Sequence, residues 1–236
     1  MRLVDWLRAP TGRPEGGIEI VVVDDGSADA TASIVERAAA SLPPGPVTLR
    51  LLRNGVNRGK GYSIKHGVLL SQGSFVLVSD ADFSTPIEEL PRLLAPVAAG
   101  DCDLAIGSRG MHGARVEVHQ PFWREGMGRI FNRIVRLLTR LPYSDTQCGF
   151  KVMRRDAVLT LFRTARIDRF AWDVEILYLA GKAGLRVREI PVLWRNAPGS
   201  KVDPVRDSLN MLRDVLRIRW RDRLGRYGRL GAEASR

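Results

Sequence analysis

The feature that most constrains the fold is the alternation of short apolar runs with helical patterns in the first half of the chain. Four runs rich in β-branched residues predict strands, and their continuous apolar character predicts burial on both faces: Ile18–Val23, Val47–Leu52, Phe75–Ser79 and Asp103–Gly107. The segments between them predict helices over Ala28–Ala40, Gly61–Ser71 and Pro86–Ala99. This alternation is typical of a three-layer α/β domain with helices on both faces of a sheet.

The third helix has a start signal of its own. Thr85 is a good N-cap, Pro86 suits the first helical position, and Glu88 completes a capping box. Because these residues already account for the helix start, the acidic residues just before them are free for another role.

The second half of the chain carries two long amphipathic patterns. The first, Arg124–Leu141, has an arginine row that spans an arc of about 60° at ~100° per residue: Arg129, Arg133, Arg136 and Arg140. The second, Pro204–Arg223, combines an apolar row with an arginine row: Leu209, Leu212, Leu216, Trp220 and Arg206, Arg213, Arg217, Arg221. Such helices are typical of interfacial segments, but the apolar rows could equally close the core while the arginines face water.

A strand is predicted over Val187–Trp194, followed by a loop over Arg195–Lys201. We predict one domain over residues 1–203, and a basic amphipathic helix with its tail over 204–236. The tail is expected to fray after Gly225.

The charge predicts an anionic partner. The 236 residues include 37 Lys and Arg against 26 Asp and Glu, a formal net charge of +11. Nucleic acid, anionic lipid and phosphorylated substrates are all compatible with it. Basic residues interleaved with stacking aromatics are not evident, which disfavours nucleic acid. The two cysteines, Cys102 and Cys148, form no CxxC pair, so a zinc site is not indicated.

Two acidic groups follow predicted strands. Asp24 and Asp25 end the first strand, where acids can hydrogen-bond a ribose or base, although they could also simply cap the turn. Asp80 and Asp82 follow the third strand, and residues two apart on an extended segment point the same way. Two such carboxylates can share a divalent cation that binds diphosphate oxygens.

A glycine-rich basic segment, Asn54–Gly67, lies between these acidic groups. Its spacing fits neither a P-loop nor a dinucleotide fingerprint. Gly59, Lys60 and Gly61 at a helix N-terminus could still offer N–H groups and an ammonium to a phosphate. A plain turn is an equally good interpretation.

Together these segments resemble family 2 glycosyltransferases of the GT-A fold, and within them the dolichyl-phosphate β-glucosyltransferase group. The resemblance covers about Ile18 to Val202. It rests on the order and spacing of seven motifs: VDDGSADAT from Val23, NRGKGYSIKHG from Asn57, SDADFSTP from Ser79, IGSR from Ile106, QPFWREGMGRIFN from Gln120, DTQCGFK from Asp145 and WDVE from Trp172. A Rossmann-like α/β/α domain with a mixed central sheet is implied.

The resemblance also implies roles for individual residues. Val23, Asp24 and Asp25 would contact the uracil and ribose of a UDP-sugar, with Lys60 and Ala81 also in the nucleotide-sugar site. Asp80 and Asp82 would hold Mg²⁺ or Mn²⁺ against the diphosphate, and Arg109 would lie between donor sugar and acceptor phosphate. Arg195 and Lys201 match the pair that closes over the donor diphosphate in related dolichyl-phosphate mannose synthases. The resemblance also implies six residues that would bind the sugar or the acceptor: Asp145, Gln147, Asp173, Glu175, Arg129 and Arg133.

The implied activity is inverting transfer of a hexose, glucose by similarity, to a polyprenyl or dolichyl phosphate. The implied location is cytoplasmic, peripheral at the inner face of an anionic membrane, with no nucleic acid involved. A noncatalytic or N-terminally truncated paralogue that binds nucleotide sugar, and a mannosyltransferase using GDP-mannose, remain alternatives.

The chain departs from the family at its start. Members begin with a strand and a Pro-Ala-Tyr-Asn-Glu turn, whereas Leu3–Ala9 resembles the end of the helix that follows them. Either the start was assigned too far downstream, or the chain is a natural truncation, and in the second case a central position of the sheet would be empty.

Overall fold

The computed structural model describes residues 16–118, 122–196, 204–228 and 230, and within them not the side chains of 122–125, 129, 204 and 205. Three predictions fall outside these limits, namely those on Leu3–Ala9, on the Arg129 side chain and on Lys201. The described chain is an α/β protein with a mixed sheet, as predicted.

Eight strands are described. The four predicted in the first half are found within one residue at each end: β1 (Ile18–Asp24), β2 (Val47–Arg53), β3 (Phe75–Val78) and β4 (Leu104–Ser108). The others are β5 (Arg115–Val118), β6 (Lys151–Arg154), β7 (Val187–Pro191) and β8 (Leu193–Arg195). The single strand predicted over Val187–Trp194 is thus two strands. Pro191 has no N–H to continue the ladder, and the chain changes partner there from β4 to β5.

The main sheet has the order β3-β6-β4-β7. Strand β6 runs antiparallel to both β3 and β4, and β7 runs parallel to β4. Strands β1 and β2 form a separate parallel pair, and β5 and β8 form another.

No described strand hydrogen-bonds to both β1 and β3, which belong to different sheets. The prediction that every strand is buried on both faces is wrong: β4 is fully buried, but in β1 only Asp24 is, and β1 has a single strand neighbour among the described residues.

Seven helices are described: α1 (Thr31–Ala40), α2 (Lys60–Leu70), α3 (Leu90–Ala98), α4 (Phe122–Thr139), α5 (Arg155–Thr164), α6 (Trp172–Lys182) and α7 (Pro204–Arg223). The sequence predicted the bounds of α7 correctly. No described helix is both long and apolar enough to span a bilayer.

The capping box predicted for the third helix is wrong. Pro86 is extended, a 3-10 turn over Ile87–Glu89 precedes α3, and no side chain caps that turn. The hydroxyl of Thr85 is buried instead, 3.7 Å from the sulfur of Cys148.

Helix α2 packs on β1 and shares a core cluster with β3. Its Gly67 faces Val23 of β1, where an added Cβ would lie 3.1 Å from the Val23 Cγ2. The adjacent residue, Val68, is buried in the same apolar cluster as Val76 and Val78 of β3. Helix α2 therefore links the two sheets through the core although their strands do not pair.

The C-terminal helix belongs to the same core. Val215 and Ile218 of α7 are fully buried with residues of α6. Beyond α7, Tyr227 is only 4% exposed and its hydroxyl donates to Glu175 Oε1 at 2.6 Å. The expectation that the chain frays after Gly225 is therefore wrong for Tyr227, because this bond and the surrounding apolar contacts hold it.

We predict that Tyr227→Phe lowers the free energy of unfolding by about 1–3 kcal/mol, because a buried carboxylate oxygen loses its donor. Urea titration at neutral pH measures the change. Tyr62→Phe is the matched control, since its hydroxyl bonds Arg58 at an exposed position and its loss should cost less than about 0.5 kcal/mol. Equal losses in the two variants would contradict the structural role of Tyr227.

Candidate active site

The two aspartates that end β1 organise the neighbouring loops. Asp24 Oδ1 accepts the N–H of Ser27 at 2.9 Å. The carboxylate of Asp25 accepts the N–H groups of Arg58 and Gly59, both at 2.8 Å, and the amide of Asn54 at 2.7 Å. Burial alone would raise the pKa of Asp25, but these hydrogen bonds outweigh it and hold that pKa below its usual value. Asp25 therefore stays ionised and ties the glycine-rich loop to the end of β1.

The same loop leads directly to the second acidic group. Gly59 has φ +103°, and a Cβ there would lie 2.5 Å from the carbonyl oxygen of Asp168, so glycine is required. The next residue, Lys60, pairs its ammonium with Asp80 Oδ1 at 2.6 Å. The predicted nucleotide-site residues of β1, α2 and β3 are thus brought together through adjacent positions in the chain.

Asp80 and Asp82 lie in a tight turn after β3, closed by a hydrogen bond from the Phe83 N–H to the Asp80 carbonyl, and not on the extended segment that the sequence predicted. Asp82 Oδ1 accepts the N–H of Ser84 at 2.9 Å, and the intervening Ala81 is exposed. Within the described part of the chain, no group of three or more His, Cys, Asp or Glu could hold a metal. Two hard carboxylates fit Mg²⁺ or Mn²⁺ only if the remaining ligands come from a diphosphate and water, which is how such ions usually bind.

Asp80 is also enclosed from the far side by Gly149. A Cβ at position 149 would lie 2.1 Å from Asp80 Oδ2, so any other residue there would displace the Asp80 carboxylate. The loop from Ser144 to Gly149 therefore packs directly against the acidic turn.

Arg109, which follows β4, is held by that loop. Its guanidinium makes two hydrogen bonds to Asp145, Nε to Oδ2 at 2.7 Å and Nη2 to Oδ1 at 3.0 Å, and its own N–H donates a third at 3.1 Å. Burial works against the charge on Asp145, yet Arg109 lowers the pKa of that carboxyl to about 2. The guanidinium remains 34% exposed, so it can still meet an anion.

Two residues that the sequence analysis missed position this pair. Both oxygens of Glu189 accept N–H groups of the loop, from Ser144 at 2.9 Å and from Asp145 at 2.8 Å. The ring of Trp194 lies under the guanidinium of Arg109, 5.4 Å from its Cζ. Neither residue lies in one of the seven motifs. Glu189 reaches the loop only because β7, which carries it, pairs with β4.

Asp173 lies in the first turn of α6 and is buried. Burial raises its pKa to about 6, although Lys151 and Lys60 pull in the other direction. The ammonium of Lys151 lies 3.9 Å from Asp173 Oδ2 and is itself buried over the ring of Trp172. Lys151 was quoted in a motif but not predicted as a site residue.

Glu175, also on α6, bonds the backbone of residues 166 and 167 and the C-terminal segment instead of the residues around Arg109. Its Oε2 accepts the N–H groups of Arg166 and Ile167, and its Oε1 is bonded to Tyr227. The structure therefore places this predicted sugar-site residue in a structural hydrogen-bond cluster beneath the C-terminal segment.

The remaining predicted residues lie around the rim. The N–H of Arg195 donates to the carbonyl of Ser84 at 2.8 Å, which sets β8 beside the acidic turn, while its guanidinium pairs with Glu117 at 2.5 Å. The Gln147 amide contacts Met211 of α7 at 3.6 Å. Arg133 is exposed on α4.

Comparison with protein families supplies an independent finding. The model of the family described as "Glycosyl transferase family 2" matches residues 4–162. Curated relatives include dolichyl-phosphate beta-glucosyltransferases. The protein from Dictyostelium discoideum is 37% identical over 211 residues, covering 88% of this chain and 64% of that protein. The protein from Homo sapiens is 34% identical over 208 residues, covering 86% of this chain and 64% of that protein. The chain thus spans just under two thirds of these relatives.

Solved structures with the same fold include glucosyl-3-phosphoglycerate synthase from Mycobacterium tuberculosis in complex with Mn²⁺, UDP and glucosyl-3-phosphoglycerate. It has a TM-score of 0.56 and 18% sequence identity, and covers 89% of this chain and 69% of that one. Mannosyl-3-phosphoglycerate synthase from Rubrobacter xylanophilus has a TM-score of 0.53, 17% identity and coverage of 91% and 67%. These similarities establish a GT-A-like fold.

We predict that Arg109→Gln lowers the free energy of unfolding by about 2 kcal/mol at pH 7, because Asp145 loses its counter-charge while it stays buried. In the native protein the low pKa of Asp145 contributes stability above pH ~4, and this is lost as the pH falls towards 2. Without the guanidinium, burial is left to raise the pKa of Asp145, so the variant should lack this contribution and lose less stability than the native protein between pH ~4 and 2. Arg195→Gln is the control, because Glu117 is 48% exposed and the pair should be worth less than about 1 kcal/mol. A larger loss in the control would refute the assignment.

Asp173 should affect stability in the opposite sense. Its folded pKa of about 6 lies above the usual 3.8, so the folded state holds the proton more tightly and ionisation costs stability as pH rises from about 4 to 6. A shift of this size corresponds to roughly 3 kcal/mol. We expect Asp173→Asn to flatten the unfolding free energy over that window, measured by urea titrations between pH 4 and 7. The exposed Asp101→Asn should leave the slope unchanged.

Proposed function

Because the chain belongs to glycosyl transferase family 2, we propose that it transfers a hexose from a nucleotide diphosphate sugar to the phosphate of a polyprenyl lipid. Relatives named dolichyl-phosphate beta-glucosyltransferase support glucose as the sugar and a dolichyl-type phosphate as the acceptor, and the UDP named in the structure of the mycobacterial synthase supports a UDP-sugar as the donor. The observation that carries the proposal is that one loop contacts both charged groups: its Gly149 lies against Asp80, the partner of Lys60, and its Asp145 holds Arg109.

The donor would bind over the ends of β1 and β3. Val23, Asp24 and Asp25 would form the nucleoside end, with Asp25 acting chiefly through the loop that it holds. Lys60 would exchange part of its pairing with Asp80 for the diphosphate when the nucleotide binds. Arg195 would leave the exposed Glu117 for the same diphosphate, since its backbone is already fixed beside the acidic turn. Lys201 completes the predicted set.

Asp80 and Asp82 would hold Mg²⁺ or Mn²⁺. Such an ion supplies charge neutralisation of the departing nucleoside diphosphate. The Mn²⁺ and UDP named in the structure of the mycobacterial synthase support this choice.

The acceptor phosphate would meet Arg109. A phosphomonoester with a second pKa of ~6 is largely dianionic near neutral pH, so its oxygen can attack the anomeric carbon without a strong general base. The new bond joins this oxygen to the anomeric carbon, while the bond to the diphosphate oxygen breaks and its electron pair leaves with the nucleotide. In-line attack inverts the anomeric configuration. Arg109, held rigidly by Asp145, would offset the repulsion between the two anionic reactants.

The buried Asp173 and the rim residue Gln147 are proposed to contact the sugar, and Arg133 the acceptor. A polyprenyl phosphate exposes only its head group at a bilayer. The proposal therefore includes a peripheral location at the cytoplasmic face of a membrane.

The test is incubation of the protein with radiolabelled UDP-glucose, a polyprenyl phosphate and Mg²⁺ or Mn²⁺. We expect labelled lipid in the organic phase, and its rate should fall at least about a hundredfold in Asp82→Ala. Asp101→Ala, an exposed aspartate on another loop, should retain the native rate. Nucleotide binding without labelled lipid would support a noncatalytic paralogue, and full metal-dependent transfer by Asp82→Ala would refute the metal assignment.

A further inference from the structure

Helices α4 and α7 both present apolar side chains to solvent. On α4, Ile130 is 60% exposed and Leu137 is 79% exposed, with Ile134 between them. On α7, Leu209, Leu216 and Trp220 are each at least half exposed. We call these two sets the apolar rows. The row on α7 lines a shallow groove of about 420 Å³ together with Leu212, Arg213 and Arg217.

The apolar rows are not needed to close the core. Other residues of the same helices do that: Val135 of α4 and both Val215 and Ile218 of α7 are fully buried. This outcome differs from the interpretation in which the Leu209 to Trp220 row faces inwards. Each helix therefore has one apolar side in the core and a second apolar side that is exposed to solvent.

An arginine row runs beside each apolar row. At ~100° per residue, Arg133 lies about 40° from Leu137 on α4, and Arg140 directly follows the helix. Arg213 and Arg217 lie about 20–60° from Trp220 on α7. All four arginines are exposed. An apolar stripe edged by cations matches a surface that is apolar inside and anionic at its rim, which is the make-up of a bilayer interface.

Both helices also touch the candidate active site. Met211 of α7 contacts Gln147, and the amide of Asn132 on α4 donates to the carbonyl of Ser144. Gln147 and Ser144 belong to the loop that carries Asp145, the partner of Arg109. The two helices thus connect the exposed apolar rows to the place proposed for the acceptor phosphate.

We propose that the apolar rows of α4 and α7 insert into the boundary between head groups and acyl chains of a bilayer, with the flanking arginines on anionic head groups. This deepens the proposed function, on which it rests for the identity of the lipid acceptor. A second copy of the chain is the less favoured occupant, because a two-fold interface would bring each arginine row towards its own copy. Nucleic acid would account for the arginines and leave the leucines and isoleucines exposed.

The experiment measures flotation of the protein, without any substrate, on vesicles of phosphatidylcholine alone and with 30% phosphatidylglycerol. We expect binding to the mixed vesicles that weakens but persists at high salt, because salt screens the arginines and not apolar insertion. Leu137→Glu and Leu216→Glu should each reduce partitioning about tenfold or more. Ile34→Glu is the matched control, since Ile34 is 54% exposed on α1, and should bind as the native protein does.

Trp220 supplies a direct measure of insertion. Acyl-chain-brominated lipids should quench its fluorescence, and Trp220→Phe should lose most of the quenchable signal. Because all substituted residues are exposed, the variants should unfold at the native urea midpoint, which establishes that they fold.

Several results would overturn the inference. These are no vesicle binding by the native protein, equal loss of binding in Ile34→Glu, or concentration-dependent dimers that Leu216→Glu abolishes while vesicle binding is absent. Transfer to a short, water-soluble prenyl phosphate separates the two proposals. Retained transfer to it by the Glu variants, with loss of transfer to vesicle-embedded acceptor, supports membrane docking. A native protein that binds vesicles but glucosylates neither acceptor refutes the proposed function alone.

Discussion

The candidate site depends on the N-terminal turn of α2, which contacts the ends of both β1 and β3. Asp25 of β1 accepts the N–H of Gly59, and the next residue, Lys60, pairs with Asp80 after β3. Strands β1 and β3 lie in different sheets, so no ladder of hydrogen bonds fixes their relative position. This short run of backbone and charge contacts links the two strands instead. Helix α2 adds to it, because it packs on β1 and shares a core cluster with β3. A tight turn with a glycine at φ +103° is what allows the chain to make both contacts at once.

The guanidinium of Arg109 is held in place by Asp145, a carboxylate whose own position is set by its loop. Glu189 binds two N–H groups of the loop, the loop presents Asp145, and Asp145 holds the guanidinium at two points. A bidentate pair has little freedom, and an arginine already in place needs no reorganisation when an anionic substrate arrives. The exposed pair of Arg195 and Glu117 is the contrast, because one weak surface contact leaves that guanidinium available to move.

The acceptor proposed for this site, a polyprenyl phosphate, lies in a membrane, and the outer surface of the protein is consistent with that location. The loop that holds Arg109 rests on α4 and α7, the helices that expose leucine, isoleucine and tryptophan beside arginine. Burial of those side chains in lipid would hold the candidate site at the bilayer surface without a spanning helix in the described chain.

Apolar periodicity and strand-end chemistry are local properties, so the α/β class, the first four strands to within a residue, the bounds of α7 and the two acidic strand ends could all be predicted from the residues alone. Glu189, Trp194 and Gly149 could not be placed in this way, because their contacts come from segments tens of residues away in the chain. Nor could the sequence show which side of α7 faces the core, since both sides are apolar, or that the hydroxyl of Tyr227 would bond the carboxylate of Glu175. Burial and hydrogen-bond partners depend on which elements meet in space, so these points are known only from the fold.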